Sequence, residues 1–110
     1  MKGTVYIDNY EIGWADFKVC DEGMGGISGQ LMPTELYSKY VKQIQALYDK
    51  RGIAGMGDFN FQIILENNTL LKPDGGIGIT HSVEFEDEII VESAGIAWDI
   101  IEKIKESNEK

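Results

Sequence analysis

Three groups of residues in this chain have side chains that could do chemistry. Cys20 and His81 are its only cysteine and its only histidine. A nucleophile, an imidazole and a carboxylate make a catalytic array only where they meet in space. Thr80 and Ser82 flank His81, but neighbours on a strand point to opposite faces, so neither hydroxyl reaches the ring from there. Cys20 reaches it only through the fold, and no flanking signature of a cysteine hydrolase accompanies either residue. The expectation is that no residue is catalytic and that His81 is a packed or exposed strand histidine.

The second group is the glycine-rich run Asp21 to Gly29 (DEGMGGISG). A phosphate cradle aims backbone N–H groups at the anion from the start of a helix. Ser28 stands where the dinucleotide fingerprint has its third glycine, and no Lys-Ser or Lys-Thr pair follows to make a P-loop. Two acids precede the run and repel phosphate. It reads as a turn or bulge, and no cofactor is expected. A second Gly-Met-Gly, Gly55 to Gly57, has different flanks and makes no repeat with Gly23 to Gly25.

The third group is acidic. Eight carboxylates and no Lys or Arg separate Lys72 from Lys103, which accounts for nearly all of the net charge of −9. Within that stretch Glu84, Glu86 and Glu88 alternate with Phe85 and Asp87. On an extended strand the three glutamates share one face. Three uses are open to such a ridge: a solvated edge strand charged against aggregation, a docking face for a basic protein, or a metal site. The glycine and spacing of a calcium loop are missing, and no metal is expected. The charge repels nucleic acid and anionic membranes and attracts basic protein surfaces.

Aromatic side chains add a possible anchor. Trp14 lies in the polar register of its strand, with Asp16 and Lys18, and Trp98 lies off the apolar stripe of its helix. Exposed aromatics beside acids are common interface anchors; the alternative is that both pack under loops. Glu84, Glu86, Asp87, Glu88, Trp14 and Asp16 are the candidate partner-binding residues. Tyr37, Tyr40 and Tyr48 read as core and rim, because no basic residues interleave to make a nucleic-acid stacking platform.

The elements that position these groups form a single domain, 1–110, of class α+β. Thr4 to Ile7 is a β-branched run, and Asp8-Asn9 suits a two-residue turn. A second strand runs from about Tyr10 to Cys20 and a third from Ile27 to Met32, giving an antiparallel meander. Pro33 marks a helix start. Leu36, Tyr40, Ile44 and Leu47 carry that helix to about residue 51, with Lys50 and Arg51 in its last turn and Gly52 as its stop. Phe59 to Glu66, Ile77 to Val83 and Glu88 to Val91 are strands. Ser93 caps a C-terminal helix over about 94–106 whose apolar face is Ile96, Ile100, Ile101 and Ile104. The expected architecture is an antiparallel sheet of about five to seven short strands, one face packed on the central helix. The C-terminal helix lies on that face or caps an edge, and the other face stays partly open.

Composition fits this plan. A chain of 110 residues with 43% apolar residues buries about two-thirds of its unfolded surface in one core. Thirteen glycines against two prolines point to tight turns and close backbone approaches. A single cysteine leaves no internal disulfide, and no leader or long apolar run is visible, so a cytoplasmic location is expected.

The chain also resembles small acidic bacterial immunity proteins, which protect a cell from its own polymorphic or contact-dependent toxin. Its size, the strand-rich opening TVYIDNYEIGWADFKV, the DEGMGGISG turn and the acidic EFEDEIIVE segment carry the resemblance. It implies tight inhibition of a basic toxin domain, often a nuclease, by covering its active site or a nearby surface, and it assigns no role to any single residue. Two other readings remain: a phage-type acidic decoy of a nucleic-acid-binding defence protein, and a small-ligand binder or enzyme using the glycine loops and His81.

Overall fold

The computed structural model describes residues 1–109. Its elements are β1 (Lys2–Ile7), β2 (Tyr10–Asp16), β3 (Lys18–Asp21), β4 (Gly26–Pro33), a 3₁₀ segment (Glu35–Lys39), α1 (Val41–Arg51), β5 (Phe61–Leu65), β6 (Ile77–His81), β7 (Ile89–Ser93) and α2 (Trp98–Asn108). The seven strands form one curled antiparallel sheet in the order β5-β1-β2-β4-β7-β6, with β3 paired to β4. The class is α+β, as the alternation and helical spacing predict.

Asp8 and Asn9 make the two-residue turn of the first hairpin, both at positive φ (49° and 70°). That conformation matches the right-handed twist of the strands it joins. The expected second strand is broken in two. β2 ends at Asp16, and Phe17 turns the chain into β3, which pairs with the other end of β4. The alternation Ala15-Phe17-Val19 continues across the break, so periodicity alone does not reveal it. Within β2, Ile12 is an extra residue: Tyr6 faces Glu11 while Val5 faces Gly13. This bulge puts Ile12 into the core and bends the strand.

The central helix is shorter than expected. Pro33 is the last residue of β4 rather than the first of a helix. The chain then makes a 3₁₀ turn that buries Tyr37, and the α-helix begins at Val41. Gly52 ends it at φ 86°, its N–H bonded to the Tyr48 carbonyl. At the other end Ser93 does not cap α2. It belongs to β7, buried, with its hydroxyl donating to the Gly76 carbonyl at 2.8 Å. Ala97 precedes the first turn of α2 instead.

The core lies between the inner face of the sheet and the two helices. Val5, Ile7, Ala15, Ile27, Leu31, Ile63, Ile79 and Val91 of the strands and Phe17 of the β2–β3 break are buried in one cluster with Ile44, Ile101 and Ile104 of the helices. α1 packs on β6, the 3₁₀ segment on β2 and α2 on β3. Among the described residues no helix packs on the opposite face.

Glycine lets three loops close on one another. Gly95 N–H donates to the Met24 carbonyl, Ile96 N–H to the Gly25 carbonyl and Gly75 N–H to the Ala94 carbonyl. Gly95 sits at φ +74°, where a Cβ would fall 2.7 Å from the Gly75 nitrogen. Gly95→Ala is therefore expected to cost about 2 kcal/mol or more, through backbone strain and clash together. Gly55, around which a Cβ would meet nothing within 4 Å, is the control; its alanine variant should stay within about 0.5 kcal/mol of wild type. Urea midpoints at unchanged m-value would read both.

Candidate functional site

The candidate residues fall into two groups, one on the outer face of β2 and one on the loop between β6 and β7. Trp14 and Asp16 point outward from β2, and both are exposed. Trp14 stands directly opposite Met32 on β4. Both are largely exposed, 42% and 48%, and together they form an apolar pair on open sheet. Lys2 places its ammonium 5.1 Å from the indole centroid. Asp16 already has a partner: the Met1 ammonium donates to it at 3.1 Å. Its charge is offset, and it counts for less in docking than its type suggests.

Glu84, Glu86, Asp87 and Glu88 do not form a strand ridge. The chain from Glu84 to Asp87 is a turn between β6 and β7. Glu88 N–H donates to the Phe85 carbonyl at 3.0 Å, and Glu84 N–H to the Ser82 hydroxyl at 3.0 Å. On a strand Phe85 would face away from the glutamates. In the turn it stands among them, 57% exposed, with Val83 exposed nearby.

Two side chains from elsewhere hold this turn. His81 Nε2 donates to the Glu86 carbonyl at 2.8 Å, and Gln30 Nε2 donates to the Asp87 carbonyl at 3.0 Å. The turn thus directs its carbonyls into the protein and its carboxylates outward. Gln30 lies on β4 two residues from Met32, so it ties the acidic turn to the face that carries Trp14. The structure brings the two groups to one surface without placing them in contact.

His81 itself is buried, 3% exposed. The Glu86 carbonyl only accepts, so Nε2 carries the proton and Nδ1 accepts from the Tyr37 hydroxyl at 2.8 Å. Both ring nitrogens are occupied structurally. Cys20 is exposed on β3 and makes no array with the ring. Among the described residues no group of three His, Cys, Asp or Glu is placed to hold a metal ion. None of the described helices is long and apolar enough to cross a membrane. Trp98 is exposed at the first turn of α2.

Sequence reasoning missed Met32, Gln30, Phe85 and Ile90 as parts of this surface. The period-two pattern of β4 and β7 could have assigned Gln30, Met32 and Ile90 to the outer face. Nothing local marks Phe85. Comparison with protein-family models, curated proteins and solved structures finds no match to this chain.

The Tyr37–His81 pair generates a pH-dependent prediction. Burial pushes the Tyr37 hydroxyl well above its ordinary value of 10.0. Below that value the hydroxyl is neutral in both folded and unfolded chains. Above it the unfolded chain ionises first, so stability falls as pH rises through about 10. Tyr37→Phe should lower stability by about 1–3 kcal/mol at pH 7, because Nδ1 of His81 loses its donor. It should also flatten the decline between pH 9 and 11. Some slope will remain, because the Tyr40 pKa is raised too, by burial first and then by Asp8 and Tyr10. Urea unfolding of both proteins across that range checks the sign.

Proposed function

We propose that this chain is a non-catalytic inhibitor of the immunity type, acting in the cytoplasm by docking on a basic toxin domain. One observation carries the reading. Among the described residues no helix covers the outer face around β2 and β4, which presents the Trp14–Met32 pair, and Gln30 on that face hydrogen-bonds a turn whose carboxylates are exposed. A nuclease site must be positive to hold phosphate, so fixed carboxylates steer it and raise the association rate. Charge alone rarely gives tight complexes. A desolvated aromatic at the centre of an interface often contributes about 2 kcal/mol or more, and Trp14 and Phe85 are both available for that. The involvement of both nitrogens of His81 in structural hydrogen bonds favours this reading over the catalytic one.

The roles divide by position. Asp87 and Glu88 lie beside Gln30 and Ile90, so they form the acidic border of the apolar pair. Glu84 and Glu86 are exposed on the same turn. Lys2, over the indole, leaves only one side of Trp14 free for a partner.

The proposal predicts a toxic domain encoded beside the gene, and co-expression with that domain tests it. The wild-type chain should restore growth, and the purified pair should associate more slowly as salt rises. Asp87→Lys with Glu88→Lys should lower the association rate about tenfold or more at low salt. Trp14→Ala should keep the fold and speed dissociation. A His81→Asn, Cys20→Ser double variant that still folds and binds should still protect. Loss of protection with binding intact would replace this reading with an enzymatic one.

A further inference from the structure

One hollow of the molecule adjoins this surface. It is a cleft of about 710 Å³ whose walls include Met24, Ile53, Met56 and Ile90, with Asp21 and Glu92 on its margin. That volume falls within the roughly 300–1,000 Å³ of ordinary binding sites. The two Gly-Met-Gly tripeptides, 32 positions apart in the chain, therefore meet across one cleft. Met24 is 66% exposed and Met56 47%. Gly55 and Gly57 have open space where a side chain would be, and Gly23 has only an ordinary contact with Asp21. Packing does not demand glycine at these three positions, yet both methionines are carried between glycines. The bases of the loops are nonetheless fixed. The Asp58 carboxylate accepts from Gly55 N–H at 2.9 Å and pairs with Arg51, and the Asp21 carboxylate accepts from Met24 N–H at 3.1 Å. An unbranched thioether on such a loop adapts its shape to varied apolar partners.

The cleft is not isolated. A second hollow of about 540 Å³ lies along Trp14, Gln30 and Met32. Ser28 and Ile90 line both. The two make one trough across β2, β4, β7 and β6, closed at its far end where the Ile53 side chain lies against Gly78. Three strand spacings give it roughly 14 Å, about the rise of nine or ten helical residues. Among the described residues no Lys or Arg lines the cleft, and Glu92 has no ion-pair partner. The walls of the cleft are apolar and its margin is negative, whereas the Trp14 end of the trough carries both Asp16 and Lys18.

We infer that this trough receives a basic amphipathic helix of the partner, with its apolar face on Met24, Met56 and Ile90 and its cations toward Asp21 and Glu92. The inference rests on the proposed inhibitory function and names the chemistry of the segment that is bound. A helix presents an apolar stripe with charges on its flanks, and laying it in a groove needs no free strand edge.

The probe is a synthetic 14-residue Leu–Lys peptide patterned as an amphipathic helix. Two peptides serve as controls: the same pattern with Glu in place of Lys, and a scrambled sequence of equal charge. The chain has four methionines, so methyl-labelled methionine gives four NMR signals that report position directly. The Leu–Lys helix should shift Met24 and Met56 and neither control should do so. Met24→Ser with Met56→Ser should weaken it about tenfold, and Glu92→Gln about two- to fivefold at low salt, with circular dichroism unchanged. Shifts confined to Met32, or equal binding of the Glu peptide, would overturn the inference. So would a cleft that responds to small metabolites in a thermal-shift screen but not to the peptide. Growth protection keeps the two claims apart: a chain that protects while its Met24 and Met56 signals ignore the peptide retains the docking function and loses only the helix.

Discussion

All the helical packing falls on one side of the sheet, and most of the molecule follows from that. The inward side chains form one buried apolar cluster with residues of α1, α2 and the 3₁₀ segment, which is where the stabilising burial lies. Each outward side chain is left to water. Thr4, Gln30, Ser28 and Glu92 suit such positions, whereas Trp14 and Met32 stay 42% and 48% exposed there and Ile90 is only partly buried. Apolar residues retained on an uncovered face are the usual mark of a surface meant to be covered by something else. The strand edges are treated differently. Ile79 of β6 exchanges both backbone hydrogen bonds with Ala54, and β5 is bridged by the Thr69–Leu71 segment. On β3, Val19 N–H reaches the Asn108 side chain at 3.4 Å. Covered edges resist unplanned strand pairing. Under the docking proposal they would leave the face of the sheet, rather than its margins, as the recognition surface.

The acidic turn raises a separate physical problem. Four carboxylates in five residues repel one another, and the turn contains no glycine or proline to fix its path. Its shape comes from tertiary donors. His81 and Gln30 hold consecutive carbonyls at 2.8 and 3.0 Å, and Tyr37 completes the ring's bonding from the other side. A histidine suits this position because it can accept from a hydroxyl and donate to a carbonyl at once, within a core where an unpaired polar atom is costly. Tyr37 and His81 thereby join the core to the outward carboxylates. A partner approaching that turn meets charges whose positions were set during folding, so less ordering is lost on binding.

Much of the fold was legible because the local signals were strong. Asp8-Asn9 tolerates positive φ, Gly52 can end a helix, and Phe61-Ile63-Leu65 alternates cleanly into the core. Three features were not legible for identifiable reasons. Pro33 fits both the end of an edge-like strand and the first turn of a helix, and the pairing of β4 with β2 decided between them. The run Glu84 to Glu88 has the same alternation as a strand, but it bends because its hydrogen-bond donors lie on other elements. Phe17 keeps the period-two pattern of its neighbours while redirecting the chain, its N–H bonded to the Met1 carbonyl. The candidate site was legible in residue type but not in grouping. Trp14 and the acidic cluster were identifiable from sequence, but the face that joins them depends on Gln30, 57 positions away from Asp87.

The charge on this face is graded as well as negative, and the grading constrains how a partner can sit. Lys2 and Lys18 border the Trp14 end, and the Met1 ammonium offsets Asp16. Toward β7 and the methionine-walled cleft the ionisable side chains in the lining are Glu92, Asp21 and Cys20. The acidic turn lies beside the Gln30–Ile90 midpoint. A uniformly basic partner would gain at the cleft and the turn but lose at Trp14, where like charges oppose it. An aromatic-centred contact near Trp14 with cations displaced toward Glu88 and Glu92 avoids that conflict. For the proposed partner, the gradient would favour one orientation of an elongated segment over its reverse, and desolvation of Trp14 and Met32 would supply affinity at the end where charge does not.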